Sequence, residues 1–198
     1  MKTKRNPQNE VQHYLMWQQV EDVGSEYCQL RYQEQDWYLQ GTVMTTFNQE
    51  PTFVEYQIRC DKAWGTRHVQ IKMQLGLVQQ TLILMRDEQD NWQVNGRHDQ
   101  NFEGCIDVDL GITPATNTLP IRRLNLAIDE SAEVFATWVR FPQLSTDVLS
   151  QKYTRLSETR YRYESRRGAF VTEFEVDSQG LVLTYPGLWE RVGTSTSI

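Results

Sequence analysis

Residues 53–75 read FVEYQIRCDKAWGTRHVQIKMQL, and their spacing sets the fold class. Val54, Tyr56 and Ile58 alternate with Glu55, Gln57 and Arg59, and Val69, Ile71 and Met73 alternate with Gln70, Lys72 and Gln74. Successive side chains of an extended chain point to opposite faces, so a period of two sends one set to a core and the other to water. Between the runs, CDKAWGTR (60–67) carries charge, a glycine and a tryptophan, as a turn does. The stretch reads as two half-buried strands joined by a short link, an antiparallel pair.

On the N-terminal side, the same alternation recurs in HYLMWQQV (13–20), EYCQLRYQ (26–33) and WYLQGTVMTTF (37–47). On the C-terminal side it recurs in VQQTLILMRD (78–87), NWQVNG (91–96), CIDVDL (105–110), EVFATWVRFP (133–142), KYTRLSETRYRYES (152–165), FVTEFEV (170–176) and LVLTYP (181–186). Turn signals separate them at 87–91, at Asn95-Gly96 and at 177–180. No run of helical length keeps a 3.6-residue period, so strands follow strands and the fold is all-β dominated. A sheet this long does not stay flat; it curls into a half-barrel or roll, or splits. The break is 113–126, where Thr113-Pro114 or Thr118 before Pro120 can open a short helix with Leu119, Ile121 and Leu124 as its apolar stripe. A weak internal echo is present too. YQIRCDKAWGTRHVQIKM and TLILMRDEQDNWQVNG, the latter with Trp92, resemble YRYESRRGAFVTEFEV and GLVLTYPGLWERVG, the latter with Trp189. Two half-sheets of similar layout and a generic aromatic meander explain it equally well.

The 198 residues suit one domain, 1–198, with residues 1–10 as a flexible lead. Hydrophobic content of 39% and charged content of 23% exclude a disordered chain, and the net charge of −6 argues against a nucleic-acid partner. Cys28, Cys60 and Cys105 form neither a zinc pattern nor a disulfide framework, and the basic start lacks the apolar core of a signal peptide. No segment is apolar for long enough to span a bilayer as a helix, and a cytoplasmic location is expected.

The stretch GCIDVDLGITPATNTLPIRRL (104–124) carries the candidate site. Asp107 and Asp109 share one face of a strand, about 7 Å apart, and carboxylates there match the hydroxyls of a sugar. The same pair also fits a solvated face, a divalent-metal DxD motif or the carboxylates of an inverting glycosidase, although those usually face each other across the bond. Arg122 and Arg123 can hold an anionic group or pair with the aspartates. Asn117 and Thr116 fit turn or cap roles before ligand contacts. In CDKAWGTR, beside Arg67, Trp64 can stack on a sugar ring or pack beneath its turn. His13, His68 and His98 lie in unrelated segments without a nucleophile motif, so no catalytic residue, metal ligand or cofactor is assigned.

The same central stretch resembles the signature of the bacterial "Putative glycolipid-binding" family. RCDKAWGTRHV, WVRFPQL, the QKYTRL strand and VDSQGLVLTYPGLWERV are similar too, in the family's order, from about Tyr14 to Val192. The resemblance implies a long antiparallel sheet wrapped around a single short helix, distantly like the lipoprotein-localisation carriers, and a homodimer. It further implies an acidic pocket for the sugar portion of a glycolipid. Asp107 and Asp109 match the family's acidic positions, and Thr116, Asn117, Arg122 and Arg123 its polar ones. The expected ligand contacts are therefore Asp107, Asp109, Arg122, Arg123, Asn117, Trp64 and Arg67. Binding leads a purely structural role for the motif, with an enzyme of glycolipid metabolism third.

Overall fold

A computed structural model describes residues 12–197; the expectation of a flexible 1–10 lies outside the described residues. The first eight strands are β1 (Gln12–Gln19), β2 (Gly24–Gln33), β3 (Asp36–Phe47), β4 (Glu50–Cys60), β5 (Thr66–Leu75), β6 (Val78–Arg86), β7 (Trp92–Val94) and β8 (Arg97–His98). Next come β9 (Asp107–Leu110), a 3-10 turn at Ala115–Asn117, the helix α1 (Thr118–Leu124), β10 (Ser131–Arg140) and β11 (Ser145–Arg155). The chain ends with β12 (Arg160–Ser165), β13 (Phe170–Val176), β14 (Val182–Tyr185) and β15 (Trp189–Ser197).

The described strands form one 15-stranded sheet in the order β8-β7-β6-β5-β4-β3-β2-β1-β15-β14-β13-β12-β11-β10-β9. Every neighbour is a sequence neighbour except β1 and β15, which pair near the middle of the sheet. The sheet is curled and unclosed, with β8 and β9 as its two edges. Only a short segment joins those edges in sequence. The Thr66 amide donates to the Ile106 carbonyl at 3.1 Å, and the Val108 amide donates to the Thr66 hydroxyl at 3.3 Å, which ties the β9 edge back to the start of β5. Bulges at Met16/Trp17, Arg59/Cys60 and Glu175/Val176 add local bend.

The period-two reading holds at the level of side chains. Val54, Tyr56 and Ile58 of β4, with Val69, Ile71 and Met73 of β5, are buried on the inner face. α1 joins them there through Leu119 and Ile121. Fully burying each such aliphatic side chain stabilises the fold by about 1.5–3 kcal/mol.

Several details depart from the sequence reading. The run 152–165 is not one strand: it is the end of β11, a turn over 156–159 and β12, with the Leu156 amide donating to the Arg160 carbonyl at 2.8 Å. The helix is shorter than 113–126, and its first turn is the 3-10 segment. The sheet also contains one parallel pair, β9–β10, amid antiparallel ones. Parallel neighbours require a crossover, and α1 lies on that crossover. Helix α1 thus serves the topology of β9 and β10, at one edge of the sheet.

Candidate functional site

β9 is short because Gly111 follows it. A Cβ there would come within 3.0 Å of Trp138 Nε1 and 3.3 Å of the Val139 carbonyl, so the glycine lets the chain turn tightly against β10. The Leu110 amide donates to the Thr116 hydroxyl (3.3 Å) and the Ala115 amide to the Thr113 hydroxyl (3.0 Å), fastening the turn before α1.

Asp107 and Asp109, both on β9, meet different partners. Asp107 is fully buried and receives a two-pronged bond from Arg123, Nε to Oδ1 at 3.0 Å and Nη2 to Oδ2 at 2.6 Å. Burial pushes its carboxyl up, against the Arg123 bonds and the charges of Arg123 and Arg86, which pull it down. Asp109 is half-buried and accepts one bond, from Gln151 Nε2 at 2.6 Å. Burial pushes its carboxyl up to about 6, with the Gln151 bond opposing.

Asp109 lines a cavity of about 210 Å³. Trp138, Tyr163, Phe170, Tyr185 and Trp189 supply its aromatic wall, and Thr113, Asn117, Ser165 and Arg166 its other polar groups. Trp138 and Asp109 are register partners across β9 and β10, which sets the ring beside the carboxylate. Asn117 is held from both ends: its Oδ1 accepts from Tyr153 Oη at 3.0 Å, and its Nδ2 donates to the Pro114 carbonyl at 3.1 Å. Gln151 reaches past Asp109 to the Tyr163 hydroxyl at 3.0 Å, and burial raises the Tyr163 phenol further from ionisation. A carboxylate with one fixed donor keeps acceptor capacity, and beside aromatic faces it suits a polyhydroxylated ring.

The other expected residues lie elsewhere. Arg122 sits by a separate cavity of about 370 Å³ with Arg155 and Asp177, and stacks 5.2 Å from the Trp64 ring. Trp64 is buried at positive φ (69°) and stacked on Trp37 with centroids 4.2 Å apart. Arg67 donates to Asp61 at 2.8 Å and to the Asp87 carbonyl at 2.6 Å. Of the seven expected contacts, the cavity therefore gathers Asp109 and Asn117, and its lining holds one carboxylate rather than two.

Gln151, Tyr163 and Arg166 were not among the expected contacts, and neither was Glu26. Glu26 shares the inward parity of Cys28 and Leu30 on β2, and Gln151 shares that of Tyr153 on β11; a polar residue on the apolar parity of a strand was the signal. Glu26 accepts a short bond from the Tyr56 hydroxyl. Burial pushes its carboxyl up to about 8, against the Thr113 and Tyr56 hydroxyls. Thr113 also lines the cavity, so Glu26 lies one side chain behind the cavity wall. Among the described residues no cluster of three or more His, Cys, Asp or Glu side chains is arranged to hold a metal ion.

Residues 14–191 match the model of a family described as "Putative glycolipid-binding". The chain is also similar to the crystal structure of a DUF1089 family protein from Pseudomonas aeruginosa, at 30% identity and a TM-score of 0.75, over 97% of each chain. No curated protein matches significantly.

Proposed function

The chain belongs to the "Putative glycolipid-binding" family, and on that footing we propose that it binds the sugar of a glycolipid in the Asp109 cavity. The observation that carries the reading is a carboxylate with a single side-chain donor, Gln151, set among aromatic rings. Asp109 accepts hydrogen bonds from ring hydroxyls, Trp138 and Tyr185 pack against C–H faces, and Asn117, already oriented by Tyr153, adds an amide edge. Asp107, Arg123, Trp64 and Arg67 act on binding only by holding the frame. Native mass spectrometry of protein purified gently from its own host tests this. A co-purifying sugar-bearing lipid should be lost in Asp109→Asn, and a lipid retained undiminished in that variant would sink the reading.

One observation favours a second reading, an acid–base enzyme of glycolipid metabolism. A carboxyl near pKa 6 is poised to give or take a proton close to neutral pH. The cavity lining supplies no second carboxylate, so the usual two-acid glycosidase arrangement needs another group. Turnover of 4-nitrophenyl glycosides, abolished in Asp109→Asn, would establish it over binding alone.

The proposal extends to a homodimer. Met16 with Tyr27 and Met44 with Phe53 are cross-strand pairs, all exposed on the outer face of β1–β4. Contiguous apolar area of this kind suits a self-complementary interface. Analytical ultracentrifugation should find a dimer that Met44→Lys converts to monomer. No described helix is long and apolar enough to cross a membrane. Cys28, Cys60 and Cys105, buried as free thiols, fit the cytoplasmic location included in the proposal.

A further inference from the structure

The hairpin between β12 and β13 brings a cation to the same cavity. Arg166 and Arg167 both adopt left-handed backbone, with φ of 50° and 58°, ahead of Gly168. Paired left-handed residues are ordinary in tight hairpins, and Glu34-Gln35 and Asn48-Gln49 show the same in this chain; here the turn sets where Arg166 points. Its guanidinium lies 5.2 Å from the Trp138 ring centroid, and both residues line the cavity.

Arg140 is also 5.2 Å from that ring, but its charge is met by Asp147 at 3.4 Å. Among the described residues, no carboxylate forms an ion pair with Arg166. A guanidinium stacked on an indole uses its face and leaves its in-plane N–H groups free, in the fork that matches a carboxylate or a phosphate. The cavity therefore carries a hydroxyl-binding carboxylate and, apart from it, an uncompensated forked donor.

We propose that the ligand of this cavity is an anionic sugar, its phosphate or carboxylate group gripped by Arg166 while its ring hydroxyls meet Asp109 and Asn117. This rests on the sugar-binding reading of the cavity and adds the charge of the headgroup. Arg166 is the specificity residue, because a neutral sugar leaves its donors to water and an anionic one engages two of them. Salt should weaken the anionic ligand more than the neutral one.

The test is isothermal titration of the wild type, Arg166→Gln and Asp109→Asn with four probes: glucose, glucose 1-phosphate, glucuronic acid and inorganic phosphate. Arg166 is exposed, so Arg166→Gln should melt with the wild type. The expected result is that glucose 1-phosphate or glucuronic acid binds about tenfold or more tightly than glucose. Arg166→Gln erases that advantage, and Asp109→Asn weakens every sugar. The better of the two anionic probes identifies the anion as phosphate or carboxylate. Equal binding of glucose and both anionic sugars, all weakened in Asp109→Asn, overturns the role of Arg166 and leaves sugar binding standing. Inorganic phosphate binding as tightly as glucose 1-phosphate, indifferent to Asp109→Asn, overturns both in favour of a bare anion site. No binding of any probe overturns both.

Discussion

Asp109 and Glu26 are carboxylates that burial pushes up, to about 6 and about 8. For such a group the folded state favours the neutral form. Its contribution is greatest below the unfolded pKa, is lost as pH rises through the folded value, and is constant beyond. At pH 7.5 Asp109 is ionised at a cost of about 1–3 kcal/mol. Asp109→Asn can keep the Gln151 bond through its carbonyl oxygen, so it should raise the melting temperature at pH 7.5 while weakening ligand. A variant that both melts earlier and binds normally would make Asp109 a structural residue. For Glu26 the window runs from about pH 4.5 to about 8. Denaturant titrations of the wild type should show stability falling across it, and Glu26→Gln, which can still accept from Tyr56, should flatten that slope. Gly41 adds a steric constraint, since a Cβ there would lie 2.5 Å from Tyr56 Oη. Gly41→Ala should push the ring off Glu26 and destabilise by about 1–3 kcal/mol, read by chemical denaturation.

Helix α1 depends on its tertiary contacts. Seven residues are too few for a helix to persist alone. It is held by Leu119 and Ile121 in the core, by the Thr118 hydroxyl donating to the Gly180 carbonyl at 3.0 Å, and by Arg123 gripping Asp107. Removing one partner of a buried pair strands the other, at a cost of about 3–5 kcal/mol. Arg123→Met should show that loss in chemical denaturation, and Asp107→Asn combined with it should cost far less than the sum of the two. Additive losses would mean the pair does not act as a unit. The paired arginines of the motif at 104–124 thus divide by direction: Arg123 turns inward to the strand, and Arg122 turns to the Trp64 ring. Adjacent positions on a helix point about 100° apart, and the sequence does not show which of the two faces β9.

At the scale of the whole molecule, the ends of the sheet order are not the ends of the chain. β1 and β15 pair centrally, with Trp17 Nε1 donating to the Val182 carbonyl at 2.9 Å, and so join two long meanders into one surface. Cutting the chain before Trp189 would leave β1 with an open edge in mid-sheet. The expected outcome is loss of the cooperative thermal transition by circular dichroism; a truncated chain that still melts sharply would show that the β2–β8 half folds by itself. The outer face of β1–β4, proposed as the dimer contact, spans this same central region.

Most of the strands, the place of helix α1 and the membership of the motif at 104–124 were legible in the sequence. Each is a matter of local periodicity, turn chemistry or a contiguous signature. β15 went unread because WERVGTSTS lacks alternation, and β11 merged with β12 because the intervening LSET (156–159) carries no glycine or proline. That Asp107 is spent on Arg123 while Asp109 faces a cavity emerged only from the folded chain, because the two share a face of β9 and differ in what folds against it. The same holds for Trp138, Gln151, Tyr163 and Arg166, which reach that region from three other strands and a hairpin: burial and pairing are properties of distant segments meeting, and no spacing along the chain records them.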